Sequence, residues 1–229
     1  MTRVAMISGA SRGIGAALGR RLVQDGWAVS LGMRQPALPD WATDAVQVQA
    51  HDASDPASDA AWVGAVADRF GRIDAVVANA GVMTPKSVIE ASDDDIRAMM
   101  DVHVMSPRRL AQAAWPLLRA SGRGRVVILA SLSGKRVKSA KAGSYSLSKF
   151  AAVALAHGLR HEGFADGIRA TAVCPGFVAT DMARSITDFP VDRMTDPQDL
   201  ARIIALLLDL PNEASVAEFA VNCQLEESF

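Results

Sequence analysis

Tyr145 and Lys149 lie four residues apart in the stretch Tyr-Ser-Leu-Ser-Lys, a spacing that sets both on one face of a helix. A free phenol has a pKa of about 10, a poor match to acid/base work at neutral pH. A neighbouring ammonium favours the phenolate and lowers that value. The pair therefore predicts a phenol that exchanges a proton with a substrate oxygen, tuned by Lys149. Tyr-x-x-x-Lys is common by chance, and an exposed helix pair is the plainer alternative. Tyr145 is, however, the only tyrosine in the chain.

A second group reads as a phosphate cradle. In Gly9-Ala-Ser11-Arg12-Gly13-Ile14-Gly15 the spacing is G-x-x-x-G-x-G rather than G-x-G-x-x-G. Glycine lets the turn tighten and lets backbone amides approach a pyrophosphate, and a helix N-terminus adds positive potential. Three glycines alone describe any tight turn. Their place directly after an apolar strand favours dinucleotide binding. Further on, an apolar run ends at Gly32-Met33-Arg34. An acid there would bond the ribose hydroxyls of NAD, whereas a base would pair with a 2′-phosphate. Arg12 and Arg34 offer two guanidinium groups and no acid, so NADP is expected over NAD.

These residues need a scaffold, and the pattern supplies one. Val4–Ser8 is a short apolar run that stops at the glycine turn. Ile14, Leu18 and Leu22 then recur every four residues, one face of a helix. Trp27–Met33, a strand around Val46 and Val48, Ile73–Ala78, Arg125–Ala130, Ile168–Cys174 and Glu218–Asn222 read as further strands. Asp55–Pro56 opens a helix that Gly71 stops. Ser92 with Asp95 resembles a capping box, opening a helix expected to run on through Met99, His103 and Leu110. Tyr145–Gly163 and Pro197–Leu210 are the remaining helices. Alternating strands and helices predict an α/β fold, a single doubly wound Rossmann-type domain over residues 1–229. The sheet is expected to have seven strands, mostly parallel, with helices on both faces.

Bulk composition narrows the partners. Half of the 229 residues are apolar and the formal net charge is −1, so neither nucleic acid nor an anionic membrane is an expected partner. Cys174 and Cys223 are too few for a disulfide framework. The apolar run after Met1-Thr2-Arg3 is too short for a signal peptide, and no run reaches membrane-spanning length. A cytoplasmic location is the expectation.

Taken together and in order, these motifs resemble those of the short-chain dehydrogenases/reductases over nearly the whole length. Ser8–Gly15 resembles the family's cofactor loop. His51-Asp52-Ala53 resembles the segment whose Asp meets the adenine. Ala78-Asn79-Ala80-Gly81 resembles its Asn-Asn-Ala-Gly turn, with Ala in place of the first Asn. Ser131, Tyr145 and Lys149 match its catalytic residues. Pro175-Gly176-Phe-Val178-Ala-Thr180 matches the turn that touches the nicotinamide carboxamide. The resemblance implies that Ser131 polarises a carbonyl, that Tyr145 exchanges a proton with it, and that Lys149 tunes Tyr145 and binds the ribose, while NADP carries the hydride.

Five features depart from that pattern or add to it. His103 stands where the family has a catalytic Asn that helps hold a water linking Lys to solvent. Either His103 keeps that role or it is a packed, structural residue. The Ser131-to-Tyr145 interval is one residue longer than usual, which makes Ser133 a competitor, although Ser131-x-x-Gly134 fits the motif better. The segment between Thr180 and Pro197, the family's substrate lid, is short, implying an open pocket or one completed by a neighbouring subunit. Lys135, Arg136, Lys138 and Lys141 could attract an anionic substrate, though such a run is more often a solvated face. His157 and His161 have a metal-compatible spacing but no third ligand, so no metal is expected.

The expected function is an NADP-dependent reduction of a ketone or aldehyde to an alcohol, or the reverse. A small-molecule carbonyl or alcohol is the substrate, and a homodimer or homotetramer built on the helices of Ser92–Ala120 and Tyr145–Gly163 is the assembly. A non-catalytic NADP-binding sensor or scaffold on the same fold is the alternative.

Overall fold

A computed structural model of the protein describes residues 1–225. Its strands are β1 (Val4–Ser8), β2 (Ala28–Met33), β3 (Val46–Ala50), β4 (Ala75–Ala78), β5 (Arg125–Leu129), β6 (Arg169–Pro175) and β7 (Glu218–Val221). They form one sheet in the order β3-β2-β1-β4-β5-β6-β7. Every pairing in it is parallel, so among the described residues no antiparallel edge strand accompanies the expected parallel core.

The helices are α1 (Gly13–Gln24), α2 (Pro56–Phe70), α3 (Asp93–Met100), α4 (Ser106–Ala120), α5 (Gly143–Gly163), α6 (Asp181–Arg184) and α7 (Pro197–Asp209). Side chains alternate between the faces of each strand. Ala5, Ile7, Val29, Leu31, Ala75 and Val77 pack with Leu18 and Leu22 of α1 and Leu200, Ile204 and Leu208 of α7. Val4, Met6, Val76, Ala78, Val126 and Ile128 pack with Trp62 and Val66 of α2, Leu110 and Leu118 of α4 and Ala152 and Ala156 of α5. Burial on both faces explains why β1, β4 and β5 read as unbroken apolar runs.

The caps follow the sequence closely. The Asp55 side chain accepts the Ala57 N–H, Pro56 occupies the first turn, and Gly71 ends α2 at φ 68°. Both halves of the Ser92/Asp95 capping box are formed. Other boundaries shift slightly: β4 starts at Ala75 rather than Ile73, and α5 starts at Gly143 rather than Tyr145.

One expectation fails. The helix opened by Ser92 does not continue unbroken through His103. A π-helical turn, Asp101–Met105, separates α3 from α4, and the Ser106 N–H reaches back to the Asp101 carbonyl. Pro107 supplies the reason: it has no N–H to give the His103 carbonyl, and its ring crowds that carbonyl, so the helix widens just upstream.

Sheet order places the ligand-binding crevice. β1 has β2 on one side and β4 on the other, with Ile7 opposite both Leu31 and Val77. Chain order reverses there, and ligands of such sheets lie beyond the carboxyl ends of the strands at that point.

Candidate active site

The glycine loop leaves β1 at Ser8 and is braced by the turn after β4. The buried Ser8 hydroxyl accepts the Asn79 and Ala80 backbone N–H groups, both at 3.0 Å. The Asn79 carboxamide donates to the Ser8 carbonyl at 3.0 Å and the Gly9 carbonyl at 3.1 Å. Asn79 thus shapes the loop from beneath. Gly9 has φ 64°, and a Cβ there would sit 2.8 Å from the Ala80 Cα, so the close crossing of the two segments requires glycine. Gly81 continues this turn, exposed, while Gly15 is buried against the Gly9 carbonyl.

α1 begins without a side-chain cap and without an acid in its first turn. Asp55, Ser92, Thr180 and Asp196 cap α2, α3, α6 and α7, while α4 and α5, each continuing from a preceding helical turn, also lack a side-chain cap. An uncapped helix N-terminus at the crevice fits a pyrophosphate. Ser11 and Arg12 are exposed there, and Ile14 packs partly against the core. Arg34, exposed at the end of β2, lies close enough to Asp52 to hold its carboxyl below the usual range, with the Ser54 hydrogen bonds the larger cause. Arg12 is engaged elsewhere, 2.7 Å from Asp181. Met33 is buried in the core. Ala53, beside Asp52, is also buried.

The segment after β6 closes toward this loop. Gly176 donates its N–H to the Val221 carbonyl at 2.8 Å, and the buried Val178 bridges to Thr195. Thr180 caps α6, and its methyl would lie 3.2 Å from a Cβ at Gly13. Phe189 folds back onto Phe177 with ring centroids 6.0 Å apart, which closes the short segment on itself.

Tyr145, Lys149, Ser131 and His103 come together at the ends of β4 and β5. Burial pushes the Tyr145 phenol up to about 12, with the Ser131 hydroxyl beside it pulling the other way. Lys149 is 4% exposed, its ammonium donates to the Leu129 carbonyl at 2.7 Å, and burial lowers its pKa to about 7. Its Nζ lies 5.6 Å from the Tyr145 ring centroid. In the chain by itself burial outweighs the Ser131 hydrogen bond, and Lys149 is not among the groups that shift the phenol. Ser131, rather than Ser133, faces the phenol; Ser133 gives its N–H to the Ser131 hydroxyl at 3.1 Å. Gly134 lets this turn press against α5, since a Cβ there would lie 2.6 Å from the Lys149 carbonyl.

His103 is 2% exposed and packs edge-on against Tyr145, with ring centroids 5.6 Å apart at 87°. Its Nε2 accepts the Val82 N–H at 3.1 Å, so the ring proton sits on Nδ1, which donates to the Ser148 hydroxyl at 2.9 Å. That hydroxyl donates to the Tyr145 carbonyl at 2.8 Å. Burial, with Lys149 adding to it, holds the ring pKa well below the usual value. The geometry favours the packed reading of His103.

Lys135 is held by Glu218 of β7, which also contacts His157 at 2.7 Å. The cationic run after Ser131 is thus partly answered by an acid about 80 residues away in sequence. Among the described residues no three His, Cys, Asp or Glu side chains gather as a metal site. Sequence reasoning missed Ser8, Asn79's bracing role and Ser148, although Ser148 stands inside the quoted Tyr145–Lys149 motif.

Comparison with known proteins follows the same outline. The family model for short chain dehydrogenase matches residues 3–190. An agropine synthesis reductase of Rhizobium rhizogenes is 35% identical over 228 residues, 97% of this chain and 53% of that relative; the chain thus spans about half the length of that protein. An alcohol dehydrogenase of the archaeon Thermococcus sibiricus, solved with 5-hydroxy-NADP, superposes with a TM-score of 0.87 at 30% identity, covering 99% of this chain and all of that one. A 3-ketoacyl-(acyl-carrier-protein) reductase of Brucella melitensis, solved with NADH, gives 0.89 at 25% identity, covering 96% and 97%.

Proposed function

Because the chain belongs to the short-chain dehydrogenase family, we propose that it is a single-domain, NADP-dependent reductase of ketones or aldehydes. The observation that carries the reading is the Ser131 hydroxyl set against the Tyr145 phenol, with the Lys149 ammonium one helical turn away. Bound NADPH would supply the hydride. Ser131 then polarises the carbonyl, and Tyr145 gives its proton to the oxygen as negative charge develops there. A phenol with a pKa of about 12 is fully protonated at neutral pH, so it stands ready as the donor that reduction needs. Lys149 would hold the nicotinamide ribose, Gly9, Ser11, Gly13, Ile14 and Gly15 would cradle the pyrophosphate, Asp52 and Ala53 would meet the adenine, and Ala80, Gly81, Gly176, Val178 and Thr180 would line the nicotinamide end.

NADP rather than NAD is supported by Arg34 just beyond the end of β2, by the absence of an acid there, and by Arg12 in the glycine loop, although Arg12 pairs with Asp181. The relatives' bound cofactors include both kinds, so the preference rests on this chain's own charges. A homodimer or homotetramer is supported by the apolar groove on the outer face of α5, lined by Val88, Ile89, Val137, Leu147 and Phe150, all more than a third exposed.

The test is NADPH oxidation with a panel of aldehydes and ketones, acidic ones included, for wild type and Tyr145→Phe. Turnover with at least one carbonyl, reduced about 10²-fold or more in the variant while NADPH still binds, is expected. Cofactor binding without turnover of any carbonyl would favour the sensor reading instead.

A further inference from the structure

A buried polar cluster lies outside the catalytic group, at the far end of the crevice. Its centre is Asp59 of α2, 1% exposed. One carboxylate oxygen is 2.8 Å from His51 Nε2 and 2.7 Å from the Ser106 hydroxyl, which donates to it. The other accepts from Arg109 Nε at 2.5 Å. Arg109 extends further, its terminal nitrogen donating to the Ala53 carbonyl at 3.4 Å. His51 in turn lies against Trp62, with ring centroids 4.7 Å apart, and Trp62 donates to the Ser30 hydroxyl of β2 at 2.8 Å.

Three elements are tied by this one side chain: the end of β3, the first turn of α2 and the first turn of α4. A carboxylate taken wholly out of water costs several kcal/mol unless its lone pairs are satisfied. An apolar residue would fill the space between two helices without that demand. What the charge adds is direction: it fixes His51 and Arg109, and these two flank Asp52 and Ala53 from both sides. That dipeptide leaves the carboxyl end of β3, on the crevice edge of the sheet and within Coulombic reach of Arg34.

We infer that Asp59 and Arg109 are positioning residues for the adenine half of the cofactor, holding the Asp52–Ala53 segment through His51 and the Ala53 carbonyl. The inference rests on the cofactor-binding reading above and deepens it. Neither residue touches the reacting atoms; the effect belongs to affinity for one half of the dinucleotide.

The experiment splits the cofactor. Binding of 2′,5′-ADP, which carries the adenine half, and of reduced nicotinamide mononucleotide, which carries the other, is measured by calorimetry on the full chain. Wild type is compared with Asp59→Asn and with Arg109→Lys, which keeps a cation near Asp59 but loses the reach to Ala53. Thermal melting without ligand checks that each variant is folded. The expected result is a roughly 10-fold weaker 2′,5′-ADP affinity in a folded variant, with mononucleotide affinity unchanged. Unchanged 2′,5′-ADP affinity in a folded variant, or equal loss of both halves, overturns the positioning role. Wild-type chain that binds neither half overturns the cofactor reading itself, and this inference with it. Should Asp59→Asn fail to fold, Arg109→Lys alone decides.

Discussion

Nε2 of His103 accepts the Val82 amide at 3.1 Å, and this single bond settles the tautomer of a ring packed against Tyr145. With Nδ1 committed to Ser148, no ring position is left to shuttle a proton. His103→Asn is expected to keep substantial turnover, within about 10-fold of wild type, because an amide can still accept from Val82. His103→Phe keeps the ring but strands that N–H, costing about 1–3 kcal/mol of stability. The folded-state pKa of His103 lies below its unfolded value, so the unfolded chain binds the extra proton as pH falls below about 6.5. Wild type should therefore lose melting temperature on acidification from that point more steeply than His103→Asn. A turnover loss in His103→Asn as large as that of Tyr145→Phe would show that the imidazole takes part in proton transfer.

Lys149 carries a test of the same sign at higher pH, a cost built into the site. Its folded-state pKa of about 7 is depressed by burial from an unfolded value of about 10.5. Below pH 7 both states are protonated and the full penalty of the buried ammonium is felt. Between pH 7 and 10.5 the folded chain has shed the proton and the unfolded chain keeps it, so wild-type stability recovers as pH rises. Lys149→Met, which never carries the charge, should gain most over wild type at pH 6 and lose about 1–3 kcal/mol of that advantage by pH 9. Calorimetric melts at the two pH values measure this. An advantage that does not change with pH would mean that the ammonium is not paying for its burial.

The proposed preference for NADP can be tested at three exposed side chains, Arg34, Arg12 and Asp181. Arg34→Ala should weaken NADPH binding roughly 10- to 100-fold, a loss of about 1.5–3 kcal/mol, and leave NADH nearly unchanged. The Arg12–Asp181 pair is exposed on both sides, 71% and 55%, and such pairs contribute about 0–1 kcal/mol. Asp181→Asn releases Arg12 and should tighten NADPH by up to about 5-fold without affecting NADH. Placing an acid at Met33 is a poorer probe, because that side chain is buried in the core. Dissociation constants for both cofactors at fixed salt give the answer, and equal losses of NADPH and NADH in Arg34→Ala would remove the 2′-phosphate assignment.

Much of this molecule is legible in its sequence because the signals are local. The unbroken apolar runs of β1 and β5, the Asp55 and Ser92 caps, the glycine turn and the Tyr145–Lys149 helix pair each lie within a window of a few residues. What escapes the sequence is decided by partners far along the chain. Asp59 gives no sign that Arg109, 50 positions on, will meet it. Lys135 reads as one of four unopposed cations until Glu218 arrives from the last strand. His103 stays ambiguous until Val82 and Ser148 occupy its two nitrogens. The π-turn is an intermediate case: Pro107 announces a disturbance, and only the packing of α3 and α4 shows that the helix widens instead of breaking.

The bracing of the glycine loop by Asn79 bears on the order in which the protein is made. The loop's carbonyls find their donor 70 and 71 residues downstream, and the strand just before that donor, β4, slots in beside β1. On a ribosome adding about 5–20 residues per second, the glycine motif emerges several seconds before the turn that gives it shape. During that interval β1 has only β2 as a partner, and parallel pairing is non-local and slow by nature. The glycine loop is thus shaped not as its own residues emerge but only once β4 lies beside β1. A nucleotide that binds the finished loop would grip only chains that have passed this step, acting as a latch on the assembled sheet.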